Sequence, residues 1–174
     1  MTDFSKLPLQ INMIPSTSAM KNLRLIFKKS QWDKIRKDAY KRADYKCVIC
    51  GGIGERHPVE AHEEWDFNAN TGIQTLIEVN ALCPSCHLCK HAGRAYKIGQ
   101  GREVLRHLCK VNNLTWEQAQ EQATQATIKC ALLSKLNWKV DVATWLTKNG
   151  YEFDEFNTAL LDLLNKAELK ALTN

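Results

Sequence analysis

The sequence predicts an α+β protein, mainly helical, in which one small strand–strand–helix unit is packed with several α-helices. Three observations carry that prediction. Two CxxC pairs, Cys47-Val48-Ile49-Cys50 and Cys83-Pro84-Ser85-Cys86, bracket residues 51–82. Between them lie two stretches of strand-forming residues separated by a turn. Outside them, apolar residues recur at helical spacing. Composition agrees. Of 174 residues, 44% are hydrophobic and 25% charged, which suits a globular chain and excludes a wholly disordered one. No run approaches the ~18 apolar residues needed to cross a bilayer. The opening MTDFSKLPLQINMIP has no basic stretch followed by an apolar core, so no secretory signal is read. The expectation is a cytoplasmic protein without membrane association.

Each element has a local reason. Residues 1–20 show little periodicity, contain Pro8, Pro15 and a Ser/Thr cluster, and are expected to form an irregular arm. Ser30 is expected to cap a helix whose apolar face is Trp32, Ile35, Ala39, Tyr40 and Ala43. The rest of its surface carries Lys34, Arg36, Lys37, Lys41 and Arg42, and it runs directly into Cys47. Gly51, Gly52 and Gly54 turn the chain. Val59 to Trp65 reads as a first strand, Asn68 to Gly72 as a turn, and Ile73 to Leu82 as a second strand. Pro84 suits the first turn of the next helix, on which His87 and His91 lie one turn apart. Thr115-Trp116-Glu117-Gln118 fits a capping box. It opens a stripe of Trp116, Ala119, Ala123, Ala126, Cys130 and Leu133, which reads as core. Trp138, Val140 and Val142 alternate briefly, and Lys148-Asn149-Gly150 is a stop. Phe156, Ala159, Leu160, Leu163, Leu164 and Ala167 form a last amphipathic face. The expected organisation is an arm over 1–20, the basic helix and strand–strand–helix unit over 21–98, and a helical C-terminal region over 99–174.

Seven cysteines are many, and the number is odd. Without an export signal, paired CxxC units read as metal knuckles rather than disulfides. Cys47, Cys50, Cys83 and Cys86 would place four thiolates around one structural zinc, a closed tetrahedral site with no open position for chemistry. Cys89 stands alone, and Cys109 and Cys130 read as small buried hydrophobes. His62 falls in the first strand, while His87 and His91 share a helix face. Any one of them alone is an ordinary polar residue. Together, a helix pair and a strand residue can converge on a second divalent metal (Mg2+, Mn2+, Ni2+ or Zn2+) and leave coordination positions open. His57 and His107 read as structural.

Charge is distributed in blocks. Residues 21–46 hold ten basic and three acidic side chains, a net +7, and residues 88–110 hold six and one, a net +5. Residues 51–87 hold one basic and six acidic, a net −5, within an overall charge of +5. Two basic segments thus flank an acidic one rich in Cys and His. That arrangement leans toward polyanions, although a basic helix face by itself is commonly just solvated.

These residues resemble the HNH nuclease family, also called the ββα-metal nucleases. The resemblance rests on Cys47-x-x-Cys50, Val59-Glu60-Ala61-His62-Glu63, Asn80-Ala81-Leu82-Cys83-Pro84-Ser85-Cys86-His87 and His91. The motif region covers about residues 46–92. From roughly Asn22 to Leu146 the chain is also similar to a group of bacterial proteins labelled HNH endonucleases, whereas residues 150–174 lie outside the resemblance. It implies a zinc-stapled ββα unit and a metal-dependent endonuclease that hydrolyses phosphodiester bonds in double-stranded DNA. In that reading His62, His87 and His91 bind the catalytic metal, His87 and His91 steady the leaving oxygen through it, and Asn80 orients the base. The position of the base departs from the family pattern. Alignment through Val59-Glu60 puts His62 on the metal position and Glu63 on the base position, where His is usual. Taking His62 as the base instead would put Ala61 on the metal, which it cannot ligate. A free Glu titrates near ~4.3 and needs a raised pKa to serve as a base. Burial or the neighbouring Glu60 and Glu64 would raise it. Adjacent strand residues also point to opposite faces, so His62 and Glu63 share a site only where the strand is bulged or ends. Two other classes stay open: a catalytically degenerate zinc-bound nucleic-acid-binding module, and a phage or defence protein-interaction module with a purely structural zinc. A protein partner or oligomer is compatible with each.

Overall fold

The computed structural model describes residues 3–152. The amphipathic face expected from Phe156 to Ala167 lies outside the described residues. The architecture is mixed α and β: seven helices and one three-stranded sheet, among the described residues.

After a single helical turn, α1 (Leu23–Ile26), the basic helix α2 spans Lys29–Arg42. It buries Trp32, Ile35 and Ala39, as the spacing predicts. Its start corrects the assignment of Ser30 as the cap. The capping position is Lys28, whose backbone N–H donates to Gln31 Oε1 at 2.9 Å, so Ser30 sits inside the first turn. A Gln side chain at the third helical position supplies the acceptor that the helix start needs. Asp44 and Tyr45, both left-handed at φ 50° and 55°, then reverse the chain into Cys47. The loop after the first knuckle packs tightly against the second. A Cβ on Gly54 would meet Pro84 Cδ at 2.6 Å, so only glycine lets the two segments approach.

Strands β1 (Glu60–Asn68) and β2 (Ile73–Leu82) form an antiparallel hairpin with His62 across from Asn80. A bulge between Glu64 and Trp65 leaves Ile77 as the extra residue of β2. A third strand, β3 (Lys139–Asp141), pairs in parallel with the start of β2, so the brief alternation of Trp138, Val140 and Val142 is a buried edge strand. Helix α3 (Pro84–Lys90) follows β2 with Pro84 in its first turn and Cys83 as its cap, completing the ββα order. The remaining helices are α4 (Ala92–Lys97), α5 (Gly101–Asn112), α6 (Trp116–Leu133) and α7 (Ala143–Lys148). The Thr115 capping box at α6 forms as read, with Thr115 Oγ1 accepting from Gln118 N–H at 3.2 Å.

The sheet separates two cores. On one face Ala61, Leu76 and Val79 pack with Ile26, Trp32, Ile35, Val142, Trp145 and Leu146. On the other, Leu82 joins Cys47, Cys83, Cys86, Cys89, Val104 and Leu108. The N-terminal arm is irregular, but it is docked into this second core. Leu9 is fully buried, and Asn112 accepts from its N–H at 3.0 Å and donates to its carbonyl at 2.7 Å. Cys109 and Cys130 correct their assignment as buried hydrophobes. Both are half-buried and make S–H contacts to the carbonyls of Thr115 and Ile14.

Candidate metal centres

The four paired cysteines come together. Their sulfurs lie within 4.8 Å of one another, and Cys50 Sγ is 3.6 Å from Cys83 Sγ. Zn–S bonds of ~2.3 Å in a tetrahedron set the sulfurs about 3.8 Å apart, so the cluster has the size and donor chemistry of a structural zinc site. The local reason is simple. Each CxxC turns on itself, Cys47 accepting at its carbonyl from Gly51 N–H at 2.9 Å and Cys83 Sγ accepting from Cys86 N–H at 3.5 Å. The hydrogen bond from Cys86 and backbone N–H groups around it hold the Cys47 thiol well below the ordinary cysteine range, the direction a metal-ligating thiolate needs.

The three histidines also converge. Alternation along β1 puts Glu60, His62 and Glu64 on the face that meets α3, and the helix presents His87 and His91 to it. Ligand nitrogens of His62, His87 and His91 lie within 4.8 Å of one another, with His87 Nε2 and His91 Nε2 3.0 Å apart. Carboxylates hold two of the rings from behind. Glu60 bonds His87 Nδ1 and, at 2.6 Å, His57 Nε2. Burial alone would raise the Glu60 carboxyl, but those bonds outweigh it and hold it below the ordinary glutamate range. Glu64 Oε2 lies 3.6 Å from His62 Nε2 and is itself anchored by buried Lys90 at 3.1 Å. The other ring nitrogen, His62 Nδ1, is buried without a hydrogen-bond partner. An orphaned buried nitrogen costs ~1–3 kcal/mol unless a ligand takes it. Burial, then the charges of His91 and His87, push His62 down to about 2. His91 is more exposed, and desolvation by its neighbours, then the charges of His87 and Arg94, lower it below the ordinary histidine range as well. Both rings are therefore neutral at neutral pH, the form that binds a metal. The residues fit a divalent cation.

Glu63 lies on the other face of β1. Its Oε1 accepts from Leu23 N–H at 3.1 Å and its Oε2 from Trp65 Nε1 at 3.2 Å. The bulge in the hairpin falls after Glu64, too late to turn Glu63 toward the histidines. It nevertheless lines the same cavity of about 560 Å³ as His62, His87 and His91. Desolvation there pushes its carboxyl up to about 7. Burial is the cause, since Glu60 and Glu64 face away from it. Asn80 sits directly across from His62, and no hydrogen bond joins it to Glu63 among the described residues.

Sequence reasoning missed several neighbours. The i, i+2, i+4 spacing of Glu60, His62 and Glu64 was the available signal for the two supporting carboxylates. Arg24 and Arg94, from α1 and α4, line the cavity beside His87 and His91. Neither guanidinium has a carboxylate partner among the described residues. Other basic side chains are already committed: Arg36 to Asp33 at 2.7 Å, Arg42 to Glu78 at 3.1 Å, and buried Lys21 to the Trp138 carbonyl. Among the described residues, no helix is long and apolar enough to cross a membrane. No protein-family model matches the chain, and no curated protein or solved structure matches it significantly.

Proposed function

We propose that the chain is a zinc-stapled, metal-dependent endonuclease of the HNH type that hydrolyses phosphodiester bonds in double-stranded DNA. The observation that carries this reading is the convergence of His62, His87 and His91, with one orphaned nitrogen, on a cavity flanked by Arg94 and by Arg24, which lies over the Trp32 ring, neither with a carboxylate partner among the described residues. The cysteine tetrad would hold structural zinc and tie the first knuckle to the start of α3. His62, His87 and His91 would hold a second divalent ion. Such an ion supplies polarisation of a phosphoryl oxygen and stabilisation of charge on the leaving oxygen.

The protein's own groups do the rest. Arg24 and Arg94, both lining the cavity, bind the phosphate and neutralise its charge. Glu60 fixes the His87 ring with Nδ1 occupied, leaving Nε2 as the donor. Glu64, anchored by Lys90, lies 3.6 Å from His62 Nε2 and acts on that ring through its charge. Glu63 is the base. Its raised carboxyl takes and releases a proton near neutral pH, and the Leu23 and Trp65 donors hold it in one orientation. Asn80 is a positioning residue at the hairpin, across from His62.

The test is cleavage of supercoiled plasmid by purified chain with Mg2+, Mn2+, Ni2+ or Zn2+, compared with His87→Ala and Glu63→Gln. Both variants are expected to lose cleavage, and only His87→Ala to lose second-site metal affinity. Wild-type cleavage by Glu63→Gln would remove Glu63 as the base. Wild-type protein that binds DNA but cuts neither DNA nor RNA with any of these metals would replace this reading with the non-catalytic binding module.

A further inference from the structure

Outside the two clusters, one histidine sits against a zinc-site sulfur. His107 Nε2, on α5, lies 3.1 Å from Cys86 Sγ. Three features make this contact more than proximity. Cys86 is fully buried, so water cannot serve its sulfur. The other buried sulfurs of the tetrad take backbone donors: Cys83 Sγ the N–H of Cys86, and Cys47 those of Ile49, Cys50 and Cys83. For Cys86, the donor comes from 21 residues downstream, on a helix locked in place by buried Val104, Leu105 and Leu108.

We infer that His107 donates its Nε2–H to the Cys86 thiolate and so acts as the outer partner that retains zinc at the four-cysteine site. This rests on the reading that the tetrad holds zinc. Four thiolates on one dication leave an excess of about two negative charges, and donors to the sulfurs are what spread it. A thiolate that accepts an N–H bond is less basic, so it is protonated and released less readily. The bond also joins α5 to the second knuckle, so metal at the tetrad and packing of the helical region support each other. His107 is a positioning residue in this role, acting on the metal only through Cys86.

The experiment uses the full chain as wild type, His107→Gln and His107→Phe. Gln keeps an N–H donor at about the reach of Nε2, and Phe keeps the ring without one. Metal content is measured first, and then the rate of zinc transfer to a chromogenic chelator. His107→Phe is expected to release zinc about 10-fold faster or more, within the range known for lost outer-shell partners. His107→Gln should stay within about threefold of wild type, a rescue that a purely packing role would not give. In 113Cd-substituted, 15N-labelled wild type, the His107 Nε2–H proton should show scalar coupling to the cadmium through the sulfur. Equal release rates for wild type and His107→Phe, with one zinc in each, overturn the inference and leave the tetrad reading standing. Wild type without bound zinc overturns both. If His107→Phe does not fold, the cadmium coupling decides, and its absence in wild type overturns the inference.

Discussion

Changing Cys83 to Ser removes one of four sulfurs that join the knuckle after α2 to the start of α3. The size of the effect follows from what a zinc bridge at these sulfurs would do to the unfolded chain. Cys47 and Cys86 enclose a loop of roughly 40 residues, and a cross-link closing such a loop is worth about 4 kcal/mol at 25 °C on the chain-entropy account. That is a large part of the ~5–15 kcal/mol available to a domain. The site has a core of its own to fall back on, since Leu82, Val104 and Leu108 beside the sulfurs are fully buried. The variant should therefore fold at 25 °C but melt early. At ~2–4 °C of Tm per kcal/mol for a chain of this size, the drop should be about 8–16 °C. Wild type stripped with a strong chelator should fall by a similar amount and recover when zinc is returned. The assay is differential scanning calorimetry with metal content measured on the same samples. A variant holding as much zinc per chain as wild type and melting within about 2 °C of it would show that the tetrad neither binds zinc nor braces the fold.

Three further outcomes are expected. Leu108→Ala opens a cavity in the fully buried second core and should cost about 3–5 kcal/mol, read as a lower urea midpoint at unchanged m-value. Glu60→Gln weakens the hold on His87 Nδ1 and should lower second-site metal affinity by about 10–100-fold in calorimetric titration, with zinc at the tetrad unchanged. Arg24→Gln with Arg94→Gln should flatten the salt dependence of DNA binding by about two units. The pair Arg36→Gln with Arg42→Gln, each already bound to a carboxylate, should flatten it far less. Equal slopes for the two pairs would return the phosphate contacts to the basic helix as a whole.

What the sequence by itself determined is mostly what depends on short spacing. A CxxC knuckle aims its two sulfurs the same way, and Pro84 after Cys83 suits the first turn of a helix. Ile73 to Leu82 was readable as a strand, and Thr115 as a cap, because the partners lie within a few residues. The tertiary structure decided whatever joins distant residues of ordinary type. Nothing near Leu9 in the chain announces that it fills a core beside Asn112, or near Val140 that it edges β2. Glu63 was read as a neighbour of His62 at one site, but its orientation comes from Leu23, 40 residues away. The charge map suffered most. Segment counts treat every Lys and Arg as available, whereas Lys21 and Lys90 are buried against a carbonyl and a carboxylate, and Arg24 and Arg94 are left to face the histidines. Local geometry is written in the backbone's few torsions, so it survives without context. The partner of a charge is fixed only when the chain closes, because burial and distance set its energy and neither exists in the sequence.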